Sequence, residues 1–528
     1  MRLTWKLASV LLLLAWGLYA GRFWIGEPPV IGASADDSIY LAVAMNLNHP
    51  QAFTRDWGVR ANTAVVGPIA WTRLLALCLR FTDDVSRLRL ALSSMLLLLF
   101  VTGAFVLVLR WSGEPAVALV AAVVSLRPRL GFITEWGVVL PHALPRTLVM
   151  ALTAWVIWGT WQSRARFPML ALWSGLLSVA HPITGLHLFL LSAVQHVLLA
   201  ARSRRALGHL LLGGALFALG GLPTLLTAVS LVVDRPAPDW FLRFRTPYLF
   251  FQPRQLLGTL IYDLGPPLLL MAGRWSRARA GLAPEALRWT RMGMAAVAVW
   301  TAAWLASLPG LAFFQLWLGR MSAFVHLFAL LIVVGAAWGL WKREALSARA
   351  HAMVLVGLLA ICSGADWDAA LDRAQAWLGS PVGPRSSWLR WGETPEPVPP
   401  IAVDAPELDL RAFRELVRWA GERTPAGRRF LTPPSAFAAF RIYARRAITL
   451  SVKDAGVLIF SRAAAEEWYG RFRAVAGAYA SPGGSGLEPL ARRLGAEYVV
   501  VPRSGPRLSL PVAFENGAHR VYQVARAA

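Results

Sequence analysis

Near-continuous apolar runs, long enough to cross a bilayer, recur through the first two-thirds of the chain; Leu88 to Leu109 and Ser322 to Trp341 are two of them. In hydrocarbon no water pairs with a backbone N–H or C=O, so a run of about 20 apolar residues facing lipid must be a helix that satisfies its own backbone. The composition agrees, because 56% of the 528 residues are hydrophobic and only 16% are charged, against roughly a quarter charged in soluble domains. Runs of about 14 to 25 residues taken as spans predict about eleven transmembrane helices. They lie near 7–25, 88–109, 116–134, 145–161, 168–181, 184–200, 207–233, 255–273, 292–308, 322–341 and 350–363. The fifth and last are short enough to be half-helices or tilted, and 64–81 is a further membrane-embedded candidate. The predicted class is an α-helical polytopic membrane protein.

The 53 Lys and Arg residues outnumber 29 Asp and Glu, for a net charge of +24. In a soluble chain such an excess would raise nucleic-acid binding. Here Lys occurs only at positions 6, 342 and 453, and much of the Arg lies in short loops between apolar runs, so nucleic acid is not an expected partner. The positive-inside rule reads the distribution instead. With the N-terminus cytoplasmic, the inner loops hold Arg164 and Arg166, then Arg202, Arg204 and Arg205, then Arg274, Arg277, Arg279, Arg288 and Arg291, and finally Lys342, Arg343 and Arg349. This orientation predicts a multi-pass protein of the cytoplasmic (inner) membrane whose C-terminal part is extracytoplasmic. Leu18-Tyr19-Ala20 makes a poor cleavage site, so the first helix is read as retained. Cys78 and Cys362 sit in or beside apolar runs and support neither a disulfide framework nor a thiolate metal site.

Three regions follow: a transmembrane domain over 1–365 with a long first outer loop at 26–87, a Pro-rich linker over 366–403, and a small extracytoplasmic α/β domain over 404–528. In the last, Leu410, Phe413, Leu416, Val417 and Ala420 keep helical spacing, and Arg429 to Thr432 reads as a strand stopped by Pro433-Pro434. Helices near 462–479 and 487–494, a strand at Glu497 to Val501 and a hairpin around Asn516-Gly517 complete the pattern.

Ionisable residues near membrane depth are costly and therefore informative. Asp36, Asp37 and Asp56 lie in the first outer loop, Glu135, His142 and Arg146 at the next outer mouth, His181 at an outer turn, and Arg254 in a later outer loop. One of Asp36 and Asp37 is a candidate general base for an acceptor hydroxyl, while the other either orients it or holds a divalent metal such as Mg or Mn. The alternative is a helix cap, since Asp before a helix satisfies orphan amides. Arg146 follows Pro145 at the mouth of an apolar helix and either binds an anion, phosphate above all, or snorkels to water. His181-Pro182-Ile183-Thr184-Gly185 breaks an apolar stretch, as backbone does where it lines a cavity; a plain interhelical loop is the alternative. Trp57 and Trp136 stand beside the acidic loops, although most Trp residues fit an interfacial belt. No Walker loop, GxSxG or CxxC is present, and His and acidic residues show no HExxH spacing.

A first helix followed at once by an outer loop carrying Asp36-Asp37, a second acidic outer loop at Glu135, many spans and an outer α/β domain resemble the GT-C superfamily of membrane glycosyltransferases, which use polyprenyl-phosphate sugars. More locally, Asp37-Ser38-Ile39-Tyr40, Pro50, Asp56, His181 to Gly185, Thr424-Pro425, Pro433-Pro434, Arg445-Arg446 and Glu467-Trp468 look like an uncharacterised bacterial group of such proteins. The resemblance implies that Asp36 or Asp37 is the catalytic base, that Glu135 assists it or binds metal, and that Arg146, His181 or Arg254 neutralises the lipid phosphate. It implies a lipid-linked sugar donor and an acceptor that the sequence leaves open, with no certain cofactor beyond a divalent metal. A secondary transporter or lipid flippase is the rival, which Asp263 inside an apolar run keeps open; a non-catalytic envelope-assembly scaffold is a third reading.

Overall fold

The structure is a computed structural model. It describes residues 4–25, 37–126, 142–160, 166–200, 204–231, 409–434, 437–451, 453–454 and 461–524, with scattered positions between 334 and 353. The chain forms two compact units, one made of 1–27, 90–225 and 246–390, the other of 28–89, 226–245 and 391–528.

The first unit is helical. Its helices are α1 (Trp5–Trp24), most of α6 (Val85–Ser112), α7 (Pro115–Val124), α8 (Pro145–Thr160), α9 (Arg166–Ala180), α10 (Pro182–Ala200), α11 (Arg204–Gly220) and the start of α12 (Leu222–Leu231). Proline opens α7, α8 and α10, where its fixed φ suits the first turn and its missing N–H costs no bond. Among the described residues two helices, α1 and α6, are long and apolar enough to cross a membrane. Exposed Leu11, Leu14 and Leu18 on α1, the last 79% accessible, are what a lipid-facing surface presents. Buried hydroxyls satisfy themselves along their own helices: Thr153 Oγ1 donates to the Val149 carbonyl at 2.7 Å and Ser174 Oγ to that of Leu170 at 2.7 Å.

Helices α9 and α11 pack through small residues, which let two helix backbones approach closely. A Cβ on Gly175 would collide with the Phe217 carbonyl oxygen, and one on Gly220 would lie 2.8 Å from that of Leu172. Gly175→Leu should therefore separate the two helices at a cost near 3 kcal/mol, the upper end for overpacking. Gly214→Leu, at a position with nothing within 4 Å, should cost far less. Thermal unfolding in detergent compares them, and equal losses would contradict this packing.

The second unit joins the first-loop helices α2 (Asp37–Asn48), α3 (Pro50–Phe53), α4 (Trp57–Val66) and α5 (Ala70–Cys78) to the C-terminal α/β segment. That segment runs α13 (Leu410–Arg423), β1 (Arg429–Leu431), α14 (Phe440–Ala444), β2 (Ala447–Ile448), α15 (Arg462–Ala480), α16 (Leu487–Leu494), β3 (Tyr498–Pro502), β4 (Val512–Glu515) and β5 (His519–Gln523). The five-stranded sheet has the order β2-β1-β3-β5-β4. Strand β1 pairs parallel to β2 and β3, with Phe430 beside Tyr498, and β5 pairs antiparallel to β3 and β4. Alternation along the strands separates two cores. Leu431, Val499, Val501 and Tyr522 pack with Val475 of α15 and Leu487 and Leu490 of α16. Phe430 and Tyr498 stack at 4.8 Å and, with Phe514, meet Trp419 of α13.

Differences from the sequence expectations have local causes. The single span expected at 207–233 is two helices, because Gly220-Gly221 followed by Pro223 interrupts the i→i−4 ladder. The candidate at 64–81 is likewise the end of α4 and all of α5, separated around Gly67-Pro68. Helix α7 ends at Val124, and the rest of the expected span at 116–134 lies almost wholly outside the described residues. The spans at 255–273 and 292–308, and most of 322–341 and 350–363, lie outside them too.

Candidate functional site

Asp37 stands in the first turn of α2 and Arg89 in the first turns of α6, just ahead of the run Leu90 to Leu109. Both side chains are removed from water, at 0% and 1% accessibility. Arg89 Nε and Nη2 each donate to Asp37 Oδ2 at 2.7 Å. Desolvating two charges costs several kcal/mol each, repaid only by geometry this tight. The guanidinium supplies the opposite charge that a carboxylate so removed from water needs beside it. Asp36 lies outside the described residues.

Asp56 anchors a second buried network. As the N-cap of α4 it accepts the Val59 N–H on Oδ1 at 3.0 Å, while Oδ2 accepts the Ile448 N–H at 3.0 Å and faces Arg441 Nε at 3.2 Å. Arg441 forks onto Asp454, with Nη1 to Oδ1 at 2.5 Å and Nη2 to Oδ2 at 3.0 Å. Asp454 Oδ2 also accepts the Ser451 N–H at 2.7 Å. Gly58 admits this approach, because a Cβ there would overlap the Asp454 carboxylate. Burial raises the Asp56 carboxyl above its ordinary value, and Arg441 offsets only part of that. Burial also works against the Arg441 charge, but Asp454 and Asp56 outweigh it and push its pKa up. The trio ties the first-loop helices to the C-terminal segment.

A third tie is more exposed. Glu497 Oε1 accepts Arg55 Nη1 at 2.6 Å and Arg428 Nη1 at 3.3 Å, and Oε2 accepts the Arg429 N–H at 2.9 Å. Burial pushes this carboxyl up, but those three donors hold it below its ordinary value of 4.5. Between the two values the unfolded chain binds more protons, so stability rises with pH across that window and is lost as pH falls from 4.5 through the folded value. Glu497→Gln should flatten the acid limb of Tm against pH; an unchanged slope between about pH 3 and pH 6 would remove Glu497 from this role.

In the first unit, His181 is the residue ahead of α10, and its Nδ1 accepts the Thr184 N–H at 3.2 Å and lies 2.6 Å from Thr184 Oγ1. A ring held so caps the helix through Nδ1 and leaves Nε2 to carry the proton of the neutral tautomer. Arg146, half-buried, opens α8 beside Pro145, and half-buried His142 precedes that helix. The structure thus brings Asp37 and Asp56 into one unit, with different partners, and His142, Arg146 and His181 into the other. Glu135 and Arg254 lie outside the described residues. Among those residues no three His, Cys, Asp or Glu side chains are grouped to hold a metal ion, and the expected acidic partners Asp36 and Glu135 are not among them.

Sequence reasoning missed Arg89, Arg441, Asp454 and Glu497. Arg89 alone had a signal, a charge just inside the expected span at 88–109.

Residues 411–475 match the model of a family described as a domain of unknown function (DUF6798). That stretch holds Arg441 and Asp454, and also the Thr424-Pro425, Pro433-Pro434, Arg445-Arg446 and Glu467-Trp468 segments that the sequence singled out. No curated protein matches the chain.

Proposed function

We propose that this chain is a polyprenyl-phosphate-sugar-dependent glycosyltransferase of the GT-C type, working at the outer face of the cytoplasmic membrane. In this reading about eleven helices span the bilayer, as the apolar runs require, the N-terminus is cytoplasmic, and the C-terminal segment 404–528 is extracytoplasmic. The observation that carries the proposal is the Asp37 carboxylate, buried and held by Arg89 at the head of a helix long and apolar enough to cross the membrane. A base for an acceptor hydroxyl needs an ionised oxygen at a fixed place beside the lipid phase, where the donor's phosphate lies.

The reaction is a displacement at the anomeric carbon. Asp37, or Asp36 beside it, takes the acceptor's proton as its oxygen bonds to that carbon; the bond from carbon to phosphate oxygen breaks, and polyprenyl phosphate leaves. Arg146, His181 or Arg254 takes up the charge that develops on it, with His142 at the same mouth and Glu135 assisting the base. A divalent metal, where bound, would further neutralise the phosphate. Asp56 enters as the residue that fixes the first loop. Because Asp37 is buried, the acceptor must displace what covers it.

A non-catalytic envelope-assembly scaffold is the second reading, favoured by one observation: both described acidic candidates, Asp37 and Asp56, are engaged by guanidinium groups, as structural charges are. The test is sugar transfer by the chain reconstituted in bilayers with a panel of polyprenyl-phosphate sugars. The enzyme predicts one equivalent of polyprenyl phosphate released per sugar transferred; the scaffold predicts none from any donor.

A further inference from the structure

A cavity of about 200 Å³ opens in the second unit, lined by His49, Gln51 and Phe53 from the first-loop helices and by Ala426, Arg445 and Arg446 from the C-terminal segment. Among the described residues no acidic one lines it. Its two arginines are unusual in different ways.

Arg445 is the one non-glycine residue with positive φ among the described residues, at φ 51° and ψ 44°. The left-handed conformation crowds Cβ against the backbone, so glycine or asparagine normally takes it at a helix end. An arginine kept there suggests that its side chain is needed. Arg445 Nη2 pairs with Asp83, which is 85% accessible, so that partner lies in water and competes weakly for the guanidinium.

Arg446 is 8% accessible and gives its donors to uncharged oxygens. Nε donates to Thr424 Oγ1 at 3.1 Å, Nη1 to the Ala444 and Arg445 carbonyls at 3.4 and 2.9 Å, and Nη2 to the Gly421 carbonyl at 2.7 Å and to that of Thr424. Its hydrogen bonds are met and its charge is not, since among the described residues no carboxylate pairs with it. A buried cation without a counter-ion puts a positive field into the cavity beside it.

We propose that this cavity is a phosphate-binding site in which Arg445 supplies the hydrogen bonds and Arg446 the uncompensated charge, with His49 and Gln51 at the rim. The guanidinium fork of Arg445 matches a tetrahedral oxyanion, and the volume admits a phosphate with a small substituent. The site is distinct from the residues given to the lipid phosphate above and does not rest on the glycosyltransferase reading, because its test is binding.

The experiment follows thermal unfolding of the full chain in detergent during titration with inorganic phosphate, against sodium chloride at matched ionic strength. Wild type should show a saturating rise in Tm with phosphate and none with chloride. Arg445→Gln should weaken the phosphate response at least tenfold. Arg445→Gly, which relieves the left-handed strain, should unfold at the wild-type temperature or above without phosphate and show no phosphate-dependent rise. Short-chain phosphatidylglycerol separates the sources: saturation at much lower concentration than inorganic phosphate, lost in Arg445→Gly, identifies a lipid headgroup, and the reverse order identifies a soluble phosphate. The proposal is overturned by a wild type that does not respond, by variants that respond like wild type, or by an Arg445→Gly protein less stable than wild type without phosphate.

Discussion

Arg441→Met should destabilise the second unit by about 3–5 kcal/mol, the cost of removing one partner from a buried ion network. The substitution keeps most of the side-chain volume but leaves the Asp56 and Asp454 carboxylates, at 0% and 1% accessibility, without their shared cation. Domains are stable by only about 5–15 kcal/mol, so such a loss is a large part of the total. Asp56 should then take up a proton readily, since burial already raises its carboxyl. The damage should therefore be worst at neutral pH and ease as pH falls. The control is Arg492→Met, which removes an exposed partner of Glu488 one helical turn away and should cost under about 0.5 kcal/mol. Denaturant unfolding followed on a C-terminal segment reporter compares the two. Similar losses would mean that the buried trio is not what joins the loop to that segment.

Asp37→Asn carries the second large expectation, and it needs a partner substitution to be interpreted. Alone, it takes the Asp37 charge away from buried Arg89 and should cost stability on the scale of the Arg441 change. It should also abolish sugar transfer, since loss of a general base typically costs 10²–10⁴ in rate. The two effects separate when Arg89 is replaced as well. Asp37→Asn with Arg89→Met leaves a neutral pair of similar volume, which for buried ion pairs is often neutral or stabilising.

Much of the second unit was legible in the sequence because its elements carry their own punctuation. Asp409 caps α13 by accepting the Arg411 and Ala412 N–H groups at 3.0 Å, and Ser461 caps α15 by accepting that of Ala464 at 3.2 Å. The hairpin turn at Asn516-Gly517 is held by Asn516 Oδ1, which accepts the Ala518 and His519 N–H groups at 3.1 and 2.9 Å. Elements too short to repeat a period could not be read, and α14 and β2, five and two residues long, are of that kind. Within apolar stretches, hydrophobicity marks a membrane segment but not where one helix stops and the next begins, so α11 and α12 read as one span.

The candidate site was legible only in its acids. Asp37 and Asp56 were singled out for their place in the first loop, but their partners are set by the fold. Arg89 is 52 residues from Asp37, and the Ile448 N–H that Asp56 accepts is 392 residues away. No periodicity or spacing encodes such pairs. The same distance explains why 26–87 read as a loop of a membrane domain while its helices pack with the C-terminal segment.

The most direct measurement is sugar transfer from a polyprenyl-phosphate donor by the Asp37→Asn, Arg89→Met protein in bilayers, beside wild type and beside Arg89→Met alone, each at matched thermal stability. The account predicts that the double variant folds like wild type and transfers no sugar. Transfer returning to the wild-type rate along with the fold would contradict it, and would make Asp37 a structural charge.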